Sequence, residues 1–175
     1  MKTNKTCIIL DVDNTLVHTI NKSETSHLKN VQNINMIKMG ELSICTRPYL
    51  YDFLNIICNN PKYDIGLWSF GTIYYIKELL KILGISPKLF KFIYARDYPP
   101  NNNNYNITIK KLDFIKTLHP NYKKYILIDD NINNCKANPL ESINIKGFDV
   151  LKASNPWQDN SLLNLSNYFI NSAII

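Results

Sequence analysis

Thr6-Cys7-Ile8-Ile9-Leu10-Asp11-Val12-Asp13-Asn14-Thr15 is the stretch on which the reading of this chain turns. A short β-prone, apolar run stops abruptly at an acid, which reads as a buried strand ending in a polar turn. A second stretch has the same form: Tyr125-Ile126-Leu127-Ile128 runs into Asp129-Asp130. In open parallel sheets, ligands sit beyond the carboxyl ends of the strands. If the two strands are neighbours, Asp11, Asp13, Asp129 and Asp130 meet in one crevice. Carboxylates gathered in this way repel each other and invite a hard cation, Mg²⁺ above all. A single acid at a strand end is ordinarily a loop cap or a solvated charge. Two pairs after two apolar strands call for more than that.

Glu41 to Thr46 alternates and predicts a strand. Pro48 opens a helix carrying Leu50, Phe53, Leu54 and Ile57 at helical spacing, and Asn59-Asn60-Pro61 ends it. Tyr63 to Trp68 predicts a strand. Thr72 to Leu83 predicts a helix with Ile76, Leu79, Leu80 and Leu83 on one face and Gly84 as its stop. A short strand is expected within 92–95, a helix over 111–118, another short strand within 143–150 and a terminal helix over 162–170. Residues 19–35 are polar and Asn-rich and read as loop, as does the Pro99-Pro100 and Asn101–Asn104 stretch. Strands alternating with helices imply βαβ units, hence an α/β fold around a mostly parallel sheet. Nothing marks a second domain, so 1–175 reads as a single unit.

The chain has 175 residues, 45% of them hydrophobic and 19% charged, which describes a globular protein with a real core. No run approaches the roughly 18 apolar residues of a membrane span, and the start is too short in apolar residues for a signal peptide. A soluble intracellular protein, of cytoplasm or nucleus, is expected. The four cysteines form no CxxC pair, and no His stands at zinc-ligand spacing from them, which argues against a disulfide scaffold or zinc module. The net charge of +6 favours anionic partners. Lys, Asn and Ile are abundant together, however, and all have A/T-rich codons, so the charge is discounted as a functional signal.

The run from Thr6 to Thr15 contains DxDxT in its proper strand context and resembles the signature of the haloacid dehalogenase superfamily of phosphohydrolases. Asp11 to His18, DVDNTLVH, is similar to the DLDETLVH of the small phosphatases of the RNA polymerase II C-terminal domain, the NLI-interacting-factor-like group. Arg47 to Leu54 resembles that family's RPGLDEFL, and Trp68-Ser69 falls at its strand-end Thr or Ser. Ile109-Lys110-Lys111-Leu112 resembles its VKDL, and Ile128 to Asn131 its last acidic motif. Asn138-Pro139 and Ile143 to Ile145 resemble a following PxNAIPI stretch. The likeness covers roughly residues 5–170 in one order. Asn14 replaces the usual Glu, Tyr49 a Gly, and Lys111 the Asp after the motif lysine, so either Lys110 or Lys111 fits the lysine position. A more distant likeness is to the magnesium-dependent acid phosphatases of the same superfamily.

The resemblance implies a three-layer, haloacid-dehalogenase-like Rossmannoid fold without a large cap domain. It implies a Mg²⁺-dependent phosphatase that works through an aspartyl-phosphate, with a phosphorylated protein or peptide as substrate. Asp11 would be the nucleophile, and Asp13 the acid and then the base. Mg²⁺ would be held by Asp11, the backbone carbonyl of Asp13, Asp129 and Asp130. Ser69 and Lys110 would bind the phosphate, with Thr15 there also, orienting the Asp11 loop. Blander readings stand beside these: a turn cap for Ser69, a solvated amine for Lys110, a local turn bond for Thr15. Arg47 either caps a strand or binds substrate. His18 reads as a structural loop residue, His27 and His119 as surface. The Tyr74-Tyr75 pair lines a substrate groove or packs its helix, packing being the simpler expectation. The rival functions are a phosphopeptide-binding scaffold and a nucleic-acid end phosphatase. The same family resembles a non-catalytic mitochondrial import subunit, so the fold alone does not fix activity. The chain shows no dedicated nucleic-acid module.

Overall fold

Side chains alternate across a strand, so Thr6–Leu10 (β1) sends Ile8 and Leu10 to one face and Cys7 and Ile9 to the other, all four fully buried. The computed structural model describes residues 3–27, 36–98 and 108–172, without the side chains of 25–27. After β1 come Val17–Asn21 (β2), Met36–Met39 (β3), Leu42–Thr46 (β4) and the helix Leu50–Asn59 (α1). Tyr63–Trp68 (β5), Ile73–Ile82 (α2), Phe90–Tyr94 (β6) and Leu112–Leu118 (α3) follow. Lys124–Asp129 (β7), Ile132–Lys136 (α4), Ser142–Asn144 (β8) and Ser161–Ser172 (α5) complete the order.

The main sheet runs β6-β5-β1-β7-β8, every pair parallel. On one face Ile8 and Leu10 join Leu50, Phe53 and Ile57 of α1, Ile76, Leu79 and Leu80 of α2, and Leu162, Leu165 and Phe169 of α5. On the other, Cys7 and Ile9 join Trp68, Phe92, Tyr125, Leu127 and the α3 residues Leu112 and Ile115. The result is the expected three-layer α/β sandwich. Each fully buried Ile or Leu is worth about 2 kcal/mol of transfer free energy, so β1 is held from both sides. Its register matters most for function. Leu10 stands level with Leu67 of β5 and Ile128 of β7, so Asp11 and Asp129 emerge side by side, with Ser69 one residue beyond its neighbour.

The helices follow their sequence signals. In α1, Leu50, Phe53, Leu54 and Ile57 are the buried residues. Its entry is unusual: Tyr49 has φ 64°, left-handed backbone occupied by a residue with a side chain, at the position where the resembling motif carries Gly. Thr72 caps α2 by accepting the Tyr75 N–H at 3.2 Å, and Gly84, at φ 66°, ends it.

Two expectations need correction. Residues 19–35 are not loop throughout. Val17–Asn21 pairs antiparallel with β4, and β3 covers β4's other edge, making a second sheet of order β2-β4-β3. These short strands are half polar, and β4 supplies the pairing that their composition does not announce. The second concerns His119, which is half-buried rather than superficial. Its ring stacks on Phe92 at 4.4 Å between centroids, and Nε2 lies 2.9 Å from the Tyr94 hydroxyl. The side chain of His27 and the 99–106 loop lie outside the described residues. No large cap domain interrupts the described chain, and no helix in it is long and apolar enough to cross a membrane.

Candidate active site

Asp11 follows β1 directly, and its N–H extends the ladder to the Ile128 carbonyl at 3.0 Å. Its side chain is almost enclosed, at 7% exposure. Thr15 Oγ1 donates to Asp11 Oδ2 at 2.8 Å, and Lys110 Nζ donates to Asp11 Oδ1 at 2.5 Å. The same ammonium reaches Asp129 Oδ2 at 2.8 Å. The position left open between two lysines is occupied by Lys110, which is wholly buried, while Lys111 is exposed. A solvated amine is thereby ruled out for Lys110. Burial alone would lower its ammonium, but Asp11 and Asp129 overcome this and hold it above the usual lysine range.

One carboxylate oxygen each from Asp11, Asp129 and Asp130 gathers within 4.8 Å. Two of these acids, Asp11 and Asp129, share the Lys110 ammonium, and the third, Asp130, has no cation in contact among the described residues. Burial, with Asp129 adding to it against the pull of Lys110, pushes the Asp11 carboxyl up to about 6. Asp130 is also raised, by burial and then by Asp129. An excess of hard oxygen donors around a buried nucleus of negative charge is what a divalent cation requires.

The supporting frame is built largely of asparagines. Asn134 Nδ2 donates to Asp129 Oδ2 at 3.0 Å, while its Oδ1 accepts the Lys110 N–H at 3.0 Å. Asn138 accepts from Leu112 N at 2.8 Å and donates to the Lys110 carbonyl at 2.7 Å. These two buried amides fix the backbone from which Lys110 reaches inward. Asn14 takes φ 60°, which Asn tolerates better than most residues, and its Oδ1 lies 2.8 Å from His18 Nδ1. His18 is therefore a buried residue of β2 and not part of a loop.

Asp13, half-buried, stands at the mouth. Tyr75 OH donates to its Oδ1 at 2.5 Å, with Thr19 Oγ1 2.7 Å from the Tyr75 hydroxyl. Burial and then the Asp13 charge raise the Tyr75 phenol, so it stays protonated as a donor. Gly71 makes the approach possible, because a Cβ there would come within 2.6 Å of the Tyr75 ring. Tyr75 thus packs against the core as the simpler expectation had it and also brings its hydroxyl to Asp13, while Tyr74 points away, at 74% exposure. Ser69 accepts the Gly71 N–H at 2.9 Å, the turn cap its rival reading expected, and its hydroxyl also lies 3.4 Å from Asp13 Oδ2.

Burial sets the surroundings of two further residues. Thr15 is fully enclosed, its hydroxyl spent between Asp11 and the Asp130 N–H at 3.2 Å. It orients Asp11 and has no surface with which to meet a phosphate. Arg47 is a clamp. It grips Asp159 through Nε and Nη2, both at 2.9 Å, and donates to the carbonyls of Thr15 at 3.0 Å and Lys146 at 2.6 Å.

Acids at the carboxyl edge of a five-stranded parallel sheet, with a buried lysine between them and DxDxT on the first strand, define the haloacid dehalogenase type. Within it, the chain belongs to the NLI interacting factor-like phosphatases, whose family model matches residues 6–174. Among curated proteins it is 28% identical to the Drosophila melanogaster ubiquitin-like domain-containing CTD phosphatase 1, covering 94% of this chain and 48% of that protein. Among solved structures it superposes on the fission yeast RNA polymerase II CTD phosphatase Fcp1 bound to beryllium fluoride. That match has a TM-score of 0.60 at 20% identity and covers 98% of this chain and 51% of that one. An uncharacterized Listeria monocytogenes protein matches with TM-score 0.54 at 16% identity, over 97% and 99% of the two chains. At these identities the structural matches speak for the fold. The chain spans about half the length of the curated relative and of the fission yeast protein.

Proposed function

We propose that this chain, acting as one unit over 1–175, hydrolyses phosphoserine or phosphothreonine in proteins through an aspartyl-phosphate on Asp11. The observation that carries the reading is the setting of Asp11. It is a nearly enclosed carboxylate, aimed by Thr15, neutralised by Lys110, with a second carboxylate two residues on at the mouth. Substrates would be phosphorylated proteins, as for the polymerase C-terminal-domain phosphatases it resembles, met in a soluble intracellular setting.

In the first half-reaction an Asp11 oxygen bonds to phosphorus as the bond to the seryl oxygen breaks, and Asp13 gives that oxygen its proton. In the second, Asp13 takes a proton from water, the water oxygen bonds to phosphorus, and the bond to Asp11 breaks. Inorganic phosphate leaves and Asp11 is regenerated. Lys110 balances the negative charge accumulating around Asp11, and the Ser69 hydroxyl hydrogen-bonds a phosphoryl oxygen. The donor set fits Mg²⁺, held by the carboxylates of Asp11, Asp129 and Asp130 and the carbonyl of Asp13. When bound, it would offset repulsion between the anionic nucleophile and the anionic phosphate.

The test is hydrolysis of p-nitrophenyl phosphate and of a phosphoserine peptide by the purified protein, with Mg²⁺ or with EDTA. Turnover that EDTA abolishes and Mg²⁺ restores is the expected result. A folded protein with Mg²⁺ that binds phosphopeptide and releases no phosphate would overturn the reading in favour of a scaffold. Tyr75 supplies a finer check. Tyr75→Phe removes a hydrogen bond to a charged group, worth roughly 1.5–3 kcal/mol. Turnover should fall about tenfold or more, and the melting temperature by roughly 3–10 °C, with the protein still folded at 25 °C; an unaltered kcat would show that Asp13 does not depend on that donor.

A further inference from the structure

Beside Asp130 opens a groove of about 390 Å³, walled by Asn14, Lys146, Gly147, Asp149 and Lys152. Apart from Asp130, which also lines it, none of the groups assigned to the chemistry above belongs to it. Its wall is fixed at two points. Arg47 Nη2 donates to the Lys146 carbonyl at 2.6 Å, and the Phe148 N–H donates to the Asn14 carbonyl at 2.7 Å. Between them, Gly147 runs so close to the acid cluster that a Cβ there would lie 3.2 Å from Asp130 Oδ2. Lys146 therefore projects its exposed side chain from a backbone anchored to the buried Arg47 clamp and to the loop that carries Asp11 and Asp13.

Of the other charges of the groove, Asp149 and Lys152 engage each other, while Asp130 keeps a negative charge that only a cation bound at the acid cluster would offset. Asp149 pairs with Lys152 at 2.9 Å and lies 3.7 Å from His18 Nε2. Asp130 belongs to the acid cluster with Asp11 and Asp129. Among the described residues, Lys146 has no carboxylate within ion-pair distance, whereas Lys152, across the groove, has Asp149. A cation without a partner, set on a rigid wall next to the reacting centre, is suited to a ligand that brings negative charge with it.

We infer that this groove binds a second anionic group of the substrate, with Lys146 as its principal contact, so that phosphorylated sites flanked by negative charge are preferred. The inference rests on the phosphatase reading above. The groove borders Asp130 of the acid cluster, so the second group would sit close to the scissile phosphate along the peptide. A neighbouring phosphoserine and a neighbouring Asp or Glu present the same anionic chemistry.

The experiment compares phosphoserine peptides that differ only in flanking residues: a second phosphoserine, Asp, or Asn, on either side. For each, kcat/KM and binding by fluorescence polarisation are measured with wild type, Lys146→Ala and Lys146→Glu, at low and high salt. The expected result is a preference of about three- to tenfold for anionic flanks. It should weaken with salt, shrink in Lys146→Ala and vanish or reverse in Lys146→Glu, whose melting temperatures show that both remain folded. Equal preference for second phosphate and Asp identifies general charge recognition; preference for the phosphate alone identifies a doubly phosphorylated substrate; both uphold the groove. Turnover of p-nitrophenyl phosphate with no flank preference in wild type overturns the inference while leaving the phosphatase reading intact. So does a preference that survives Lys146→Glu. If wild type turns over nothing, the phosphatase reading fails, and the polarisation data still decide whether Lys146 discriminates.

Discussion

Asp11→Asn is expected to lower phosphatase turnover to background, a loss on the order of 10⁴-fold or more, as for removal of a nucleophile elsewhere. The substitution changes one atom. The amide oxygen can accept from either the Thr15 hydroxyl or Lys110, which donate to opposite oxygens of Asp11, and Lys110 keeps Asp129 at 2.8 Å. What is lost is a carboxylate able to form an acyl phosphate. Stability should change in a pH-dependent way. Three acids crowd one ammonium, and the Asp11 carboxyl stands at about 6, above its ordinary 3.8, chiefly because it is buried. A carboxyl raised on folding favours the folded state while it holds its proton, and that contribution disappears as pH rises through the folded value. In metal-free protein, wild-type stability therefore declines between about pH 4 and 6 relative to Asp11→Asn. Melting curves over that range, run beside the p-nitrophenyl phosphate assay, test both halves. Retained turnover in a folded Asp11→Asn protein would move the nucleophile to another residue.

The parts of this site that can be read from sequence are those set by long-range order along the chain. Thr6–Leu10 is buried on both faces, so its apolar run has no gap, and the acid that ends it stands out. Lys124–Asp129 repeats the pattern for the same reason, and parallel pairing in register brings the two acid pairs together. Helices α1 and α2 declare themselves by 3.6-residue spacing because only one side of each meets the core. What stays hidden depends on partners remote in sequence. Tyr75 sits one residue from the buried Ile76 and reads as packing until Gly71 and Asp13 are in place beside it. Asn134 and Asn138 look like further instances of an Asn-rich composition, yet both are buried and hold Lys110. Asn134 signals itself only by its place after the Asp129-Asp130 pair, and Asn138 by the resemblance carried by Asn138-Pro139. Strand β2 escapes because Thr19 and His18 are polar for reasons of the site, Thr19 beside Tyr75 and His18 beside Asn14. Local propensity and site chemistry conflict there, and the pairing with β4 decides the outcome.

Lys110→Met should cost the fold more than any other change at the site. Lys110 is fully enclosed, and its ammonium is the sole cation within bonding distance of both Asp11 and Asp129 among the described residues. Methionine fills most of the stem's volume, so the loss is one of charge rather than of packing. Removing one partner from a buried ionic cluster leaves uncompensated charge and costs about 3–5 kcal/mol. For a chain of this size that is a fall of roughly 10 °C or more in melting temperature. The defect has a pH signature that a packing defect would lack. Without the ammonium, which now lowers it, the Asp11 carboxyl rises still further above its ordinary value. A raised carboxyl stabilises the folded state at low pH and ceases to do so as pH climbs through the folded value. The gap between wild type and Lys110→Met should therefore narrow on acidification from pH 7 toward pH 5 in metal-free protein. A gap that stays constant across that range would mean that the lysine stem, and not its charge, is what the core depends on. Mg²⁺ should also stabilise the variant more than it does wild type, because two unpaired carboxylates then gain a counter-charge. Restored stability without restored turnover would separate the two tasks assigned to Lys110: holding the acids together in the resting protein, and balancing charge at Asp11 as phosphate is transferred.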